Sequence, residues 1–337
     1  MALNFRKLII LSSIVFIVAS LDVFIFMTQP MKINQSFEYE IKRGASVSVL
    51  SRSLYNQGIL SRPYYLSIYA RITGQASQLK VGEYTIEPGM TPFSLLKIIV
   101  AGRVRQYSIT LVEGNNYWQM LEQVRQSPHL EHTLTNISDE QIMSHLGYDN
   151  QHPEGRFYPD TYHFPRGTTD VEFLRRAYDQ MELHLAEAWQ GRDEGLPFKT
   201  PYEALIMASI VEKESALASE RTVIAGVFIN RLRKRMRLQT DPTVIYGLGK
   251  NFDGDIRFRD LRTDTPYNTY TRSGLPPTPI AMPGIEAIKA VMHPESTDYL
   301  YFVAIGDGKG SHAFSSTLAE HESLVDKYQR KKRRNKK

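Results

Sequence analysis

The residues best suited to chemistry lie in the stretch Tyr202–Arg221, YEALIMASIVEKESALASER. At about 100° per residue, Ala204, Met207, Val211 and Ala218 fall on one face of a helix, with Ile210 and Leu217 beside them. Glu214 sits in the middle of that apolar stripe. Glu212 points to nearly the opposite side, which separates the two carboxylates of Glu212-Lys213-Glu214. A carboxyl group facing apolar surface is harder to ionise, so its pKa rises. An acid still protonated near neutral pH is what protonating the leaving oxygen of a glycosidic bond requires. The same position also has a structural reading, because Arg221 lies two turns further on and glutamates on apolar faces often pair with an arginine.

Two downstream segments carry polar groups suited to lining a cleft. Arg237-Leu-Gln239-Thr240-Asp241-Pro-Thr243 reads as a cleft edge or as a capped helix start with Asp241 before Pro242. Tyr267-Asn268-Thr269-Tyr270 mixes amide, hydroxyl and aromatic groups, as sugar-binding clefts and ordinary turns both do. His312 follows a glycine turn, where a lone histidine is more often structural. Residue types alone leave both readings open for Gln239, Asp241, Asn268, Tyr270 and His312. The chain has no cysteine and its nine histidines are scattered, so no metal site is expected. No nucleophile elbow, phosphate loop or dinucleotide fingerprint is present, and no cofactor is expected.

These residues need elements to position them. With 337 residues, 42% hydrophobic and 23% charged, the chain has room for about two globular domains. The net charge of +5 is concentrated in the tail RKKRRNKK at 330–337, and the remainder is close to neutral. Residues 8–27 form an apolar run interrupted only by Asp22, about 30 Å long as a helix and matched to a bilayer core. Arg6 and Lys7 before it favour a cytoplasmic N-terminus at 1–7. A cleaved signal peptide, cut near Val18-Ala19-Ser20, is the rival, but apolar residues resume after Asp22. Either way the rest of the chain lies outside the cytoplasm.

Beyond the span, Ile41-x-x-Gly44-x-Ser46-x-x-x-Leu50 is echoed by Ile86-x-x-Gly89-x-Thr91-x-x-x-Leu95 and more weakly by Leu111-x-x-Gly114. Each copy predicts a strand, a glycine turn and a helix begun by Ser46 or Pro92. Aromatic spacing predicts a helix over 63–72, and alternation predicts a strand over 81–86. The result is a small α+β module at about 36–105. The larger region, 106–329, contains helices at 172–189, 202–221 and 286–292, a strand at 299–305 and a final helix at 316–330. Helices and strands do not alternate strictly, so the class is α+β, with an N-terminal transmembrane helix, the small module and a larger α+β catalytic domain.

The blocks Ala208-Ser-Ile-Val-Glu-Lys-Glu214, Val227-Phe-Ile-Asn-Arg-Leu232, Arg237–Gly247, Tyr267–Tyr270, Gly274-Leu-Pro-Pro277 and Tyr301-Phe-Val303 resemble, in order, the YceG-like family of endolytic murein transglycosylases. The resemblance runs along nearly the whole chain and implies that 36–105 is LysM-like. It implies a lyase that cuts the MurNAc–GlcNAc β-1,4 bond of peptidoglycan glycan strands without water and leaves 1,6-anhydroMurNAc ends, so ending strand elongation. The family's catalytic glutamate carries over to Glu214, and the resemblance implies substrate contact for Gln239, Asp241, Asn268 and Tyr270, which lie within the matching blocks, and for His312; the alternative is that they brace the loop around Glu214. A single-pass inner-membrane protein with a periplasmic catalytic domain follows, with peptidoglycan synthases as candidate partners.

Three other readings compete. A non-catalytic glycan-binding scaffold would place no requirement on Glu214. A pyridoxal-phosphate lyase needs a Schiff-base lysine and a phosphate cup, yet Lys213 points away from Glu214 and no glycine-rich cup is near. Nucleic-acid binding rests on the basic tail alone. An exported tail is better suited to anionic lipid or wall polymer, so no nucleic-acid partner is expected.

Overall fold

The computed structural model describes residues 2–215 and 217–330; from residue 331 on, the basic tail read at 330–337 lies outside them. The chain forms two compact units. One ends at Tyr107 and is rejoined by His163–Thr168; the other comprises Ser108–Tyr162 and the chain from Thr169 onward.

The first unit begins with α1 (Ala2–Thr28), whose stretch Phe5–Thr28 is long and apolar enough to cross a membrane. It continues through β1 (Phe37–Ile41), α2 (Val47–Asn56), α3 (Pro63–Ile72), β2 (Gly82–Ile86) and α4 (Pro92–Val100), and β3 (Gln106–Thr110) leads out of it. The internal repeat explains its form. Gly44 and Gly89 take φ of +82° and +86°, a turn that a Cβ would strain. Ser46 and Thr91 then cap α2 and α4 by accepting from the N–H groups of Val49 and Ser94. The weaker third copy follows the same plan, with Asn116 as cap of the next helix. β1 and β2 pair antiparallel, with Phe37 opposite Ile86 and Ile41 opposite Gly82. Leu50, Leu54, Leu66, Tyr84, Ile86, Leu95 and Ile99 fill the core beneath them, joined by Phe26, Met27 and Met31 from the end of α1 and just after it.

The second unit carries α5 (Tyr117–Arg125), α6 (Asp139–Leu146), α7 (Asp170–Gln190), α8 (Pro201–Glu214), α9 (Arg221–Arg233), α10 (Asp241–Leu248), α11 (Phe258–Arg262), α12 (Ile285–Met292), β5 (Tyr301–Ala304), β6 (His312–Ser315) and α13 (Leu318–Val325), which runs on as a wider turn to Arg330, while β4 (Thr161–Pro165) begins in it and runs into the segment that rejoins the first unit. β3 pairs with β4, and β5 and β6 form an antiparallel hairpin with Phe302 opposite Phe314 and Ala304 opposite His312. The class is mixed α+β.

At the centre of this unit lies α8. Ala204 to Val211 are all buried, enclosed by α7, α9, α10 and α12. A helix that is apolar all round belongs in a core, so its wheel has no single buried face. The structure also corrects its length. The pattern over 202–221 reads as one helix, but α8 ends at Glu214. Ser215 is extended at φ −129°, ψ 120°, and its hydroxyl accepts from the N–H of Leu217. That local serine bond competes with helix continuation, and α9 starts afresh at Arg221. Ala218 therefore does not share a helix with Met207 and Val211.

Candidate active site

Ending α8 at Glu214 places that carboxyl group at the helix C-terminus, where unpaired carbonyls carry partial negative charge. Glu214 is half-buried in the wall of a cleft of about 510 Å³ that Arg231, Gln239, Asp241, Tyr270, Tyr301 and His312 also line. Its Oε1 accepts from the Thr240 hydroxyl. Burial is the largest influence on its pKa and raises it, and the nearby charge of Asp241 adds to the rise. The Thr240 hydrogen bond and His312 oppose it without cancelling it. Among the described residues no Arg, Lys or His forms an ion pair with Glu214. The arginine that offered the structural alternative is engaged elsewhere: Arg221 Nη2 lies 3.0 Å from Glu212 Oε1, with both side chains largely buried. Glu212 Oε2 also accepts from the Gly284 N–H at 3.0 Å.

Thr240 is itself held in place. Its N–H donates to Thr269 Oγ1 at 3.1 Å, its carbonyl accepts from Thr243 Oγ1 at 2.8 Å, and the hydroxyls of Thr243 and Thr269 lie 2.8 Å apart. All three threonines are buried. The network joins the start of α10 to the 267–270 loop and aims one hydroxyl at Glu214.

The expected contacts divide. Asp241, first residue of α10, accepts from the Tyr270 hydroxyl at 2.6 Å. Burial and this carboxylate keep the phenol well above its ordinary pKa, so it remains a donor. His312 Nδ1 lies 2.8 Å from Glu220 Oε2, and its N–H donates to Oε1 of the same carboxylate at 3.0 Å. Gln239 has a φ of +53°, rare for a side-chain-bearing residue and frequent where a site holds strain. Asn268 is the exception. It is fully buried; its amide nitrogen donates to the carbonyls of Asp260, Leu261 and Thr263, and its oxygen accepts from the Tyr270 N–H. Its polar atoms are spent on the loop that presents Tyr270, and it does not line the cleft.

Several residues gain importance only in three dimensions. Arg231 on α9 is buried and donates to the carbonyls of Leu300 (2.6 Å), Arg237 (3.1 Å) and Leu238 (2.9 Å) and to Gln239 Oε1 (3.3 Å). It thereby pins the strained Gln239 and lies 5.1 Å from the centre of the Tyr301 ring. Glu220 orients His312, and Thr240 orients Glu214. Outside the cleft, fully buried Glu154 accepts from the Tyr117 N–H at 3.1 Å and from the Tyr246 hydroxyl at 2.9 Å. Desolvation pushes its pKa up to about 7. No group of three or more potential metal ligands occurs among the described residues.

The cleft thus holds a half-buried carboxyl group that forms no ion pair among the described residues, beside Asp241 and the rings of Tyr270 and Tyr301. Residues 39–327 match the YceG-like family, and the chain belongs to that family. It is 31% identical over 305 residues to the endolytic murein transglycosylase of Bacillus subtilis, covering 86% of this chain and 83% of that one. It is 28% identical to the endolytic murein transglycosylase of Streptococcus pneumoniae, covering 83% of this chain and 57% of that longer protein. A crystal structure of a YceG-like protein from Listeria monocytogenes superposes with a TM-score of 0.57 at 31% identity, over 87% of this chain and 99% of that one.

Proposed function

We propose that this chain is a membrane-anchored endolytic murein transglycosylase and that Glu214 serves as both acid and base. Protonated Glu214 donates to the oxygen of the MurNAc–GlcNAc β-1,4 bond. The C1–O bond breaks and GlcNAc leaves with a free 4-hydroxyl. The Glu214 carboxylate then takes the proton from the MurNAc C6 hydroxyl as that oxygen bonds to C1. The product is a 1,6-anhydroMurNAc end, no water is consumed, and Glu214 is again protonated. A hydrolase of the usual kind needs two carboxyl groups in separate roles. Here the second acid in the cleft, Asp241, accepts a hydrogen bond from Tyr270 and disfavours ionisation of Glu214. Gln239, Asp241, Tyr270 and His312 contact the sugar chain.

In this reading α1 spans the inner membrane with residues 1–7 in the cytoplasm, a LysM-like module at 36–105 follows, and the catalytic domain at 106–329 acts on nascent strands in the periplasm. Cutting there ends elongation and brings peptidoglycan synthases within reach as partners. One observation carries the proposal: Glu214 has a raised pKa, forms no ion pair among the described residues, and is oriented by a buried hydroxyl in an open cleft. The test is mass spectrometry of muropeptides released from uncrosslinked glycan strands by the full-length protein and by Glu214→Gln. New 1,6-anhydro ends that fall by about 10²–10⁴-fold in the variant are expected. Reducing ends, or unchanged cleavage by the variant, would refute it.

A further inference from the structure

We infer that the helical side of the N-terminal module rests on the surface of an anionic bilayer, with the outer face of α3 set into the lipid interface. The inference rests on the reading of α1 as a membrane span. Along α3, Tyr64, Ile68 and Ile72 recur every fourth residue, so they lie on one face. They are 66%, 43% and 81% exposed, whereas Leu66, Ser67 and Ala70 of the same helix are buried. A stripe of large apolar side chains is costly to leave in water and marks an interaction surface.

Two further observations identify the occupant. First, α3 is fixed against the far end of the span. Asp22 of α1 pairs with Arg62, just before α3, and accepts from the Tyr65 hydroxyl at 2.6 Å; the Tyr65 and Phe26 rings meet edge to face at 5.4 Å. The helix that leaves the bilayer therefore holds α3 at the level where it emerges. Second, charge is segregated within the module. The stretch 47–72 that forms α2 and α3 contains Arg52, Arg62 and Arg71 and no acidic side chain. The module's acids, Glu38, Glu40, Glu83 and Glu87, lie on or beside the two strands. Basic charge beside an apolar, aromatic helix face is the composition that binds an anionic lipid interface.

The chain has no cysteine, so single-cysteine variants label cleanly. Full-length Ile68→Cys, Ile72→Cys and, as a reference within the span, Phe16→Cys would carry an environment-sensitive fluorophore in vesicles of phosphatidylethanolamine and phosphatidylglycerol. All three side chains are exposed, so the substitutions spare the core. The expected result is blue-shifted emission at 68 and 72, quenched by a nitroxide near the lipid headgroup, and weaker when phosphatidylcholine replaces phosphatidylglycerol. Labels at 68 and 72 quenched by aqueous iodide, with the label at 16 in lipid, would overturn the docking and leave the span intact. Labels shielded from both quenchers would mean that a protein covers the face, which also overturns it. A water-exposed label at 16 would overturn the span and the docking together.

Discussion

The role given to Thr240 has a measurable consequence in Thr240→Val. Valine has nearly the same shape, and the backbone bonds from Thr240 N–H to Thr269 and from Thr243 to the Thr240 carbonyl do not involve the lost hydroxyl. The substitution therefore removes one interaction, the donor to Glu214 Oε1. A hydrogen bond to an ionised carboxylate contributes about 1.5–3 kcal/mol and one to a neutral carboxyl about 0.5–1.5 kcal/mol. Losing the donor costs the ionised form about 1–1.5 kcal/mol more, which at about 1.4 kcal/mol per unit is a rise of about one pH unit. In the proposed mechanism Glu214 acts in its protonated form, so kcat/KM would fall as pH rises through its pKa. In Thr240→Val that fall should move about one unit toward alkaline pH, while the plateau drops because the carboxyl group is no longer held in one orientation. The assay is the pH profile of anhydro-muropeptide release from soluble glycan strands. An alkaline limb that stays in place, or moves toward acid, would refute the assignment of Thr240 as the group that orients and tunes Glu214.

Three other substitutions probe the same arrangement. Asp241→Asn removes the negative charge that helps raise Glu214 and keeps an acceptor for Tyr270, so the alkaline limb should move toward acid, opposite to Thr240→Val; solvent screening at exposed Asp241 keeps the shift to a fraction of a unit. Glu154, raised from 4.5 to about 7, favours the folded state fully below its unfolded pKa and loses that advantage as pH rises through 7, a difference of about 3 kcal/mol. Glu154→Gln should flatten that part of the Tm-against-pH curve, and an unchanged slope would mean that Glu154 is ionised throughout. Arg231→Met leaves the acceptors of Leu300, Arg237, Leu238 and Gln239 without their donor, at about 1 kcal/mol or more each. Denaturant unfolding should show a loss of about 3 kcal/mol or more, and a loss below 1 kcal/mol would show that water replaces the guanidinium.

Local rules made the small module legible. The aromatic spacing over 63–72 coincides with α3, and the strand–glycine–cap repeat lies where a positive φ and a side-chain cap are both needed. The long helix was legible in type but not in length. No glycine or proline interrupts EKESALASER, and the break comes from a serine hydroxyl bonding to a nearby N–H, which periodicity cannot reveal. What the sequence made legible at Glu214 was its apolar setting, and the structure places that carboxyl half-buried in the cleft wall. Thr240 acts on a carboxyl 26 residues away and Arg231 on a carbonyl 69 residues away. Glu154 lies in an aromatic loop with no period to mark it. Asn268 looks like a ligand contact by type, and only the fold shows its amide spent on three carbonyls.

In the proposed mechanism one carboxyl group serves twice, and the break after Glu214 suits that double use. Had α8 continued through Arg221, Glu214 would lie within the helix that Ala204 to Val211 bury in the core, and not at its end. Ending the helix there exposes one edge of the carboxyl to the cleft and leaves the rest against the core. The helix terminus then adds partial negative charge behind it. Burial, the helix end and Asp241 all favour the protonated state needed for the first step. Thr240 and His312 favour the ionised state needed for the second. A catalyst that gives up a proton and recovers one in the same cycle needs both sets of influences close to balance. The opposite shifts expected for Thr240→Val and Asp241→Asn test that balance from its two sides. If both variants shifted the profile the same way, the residues would be acting through the shape of the cleft and not through the charge on Glu214.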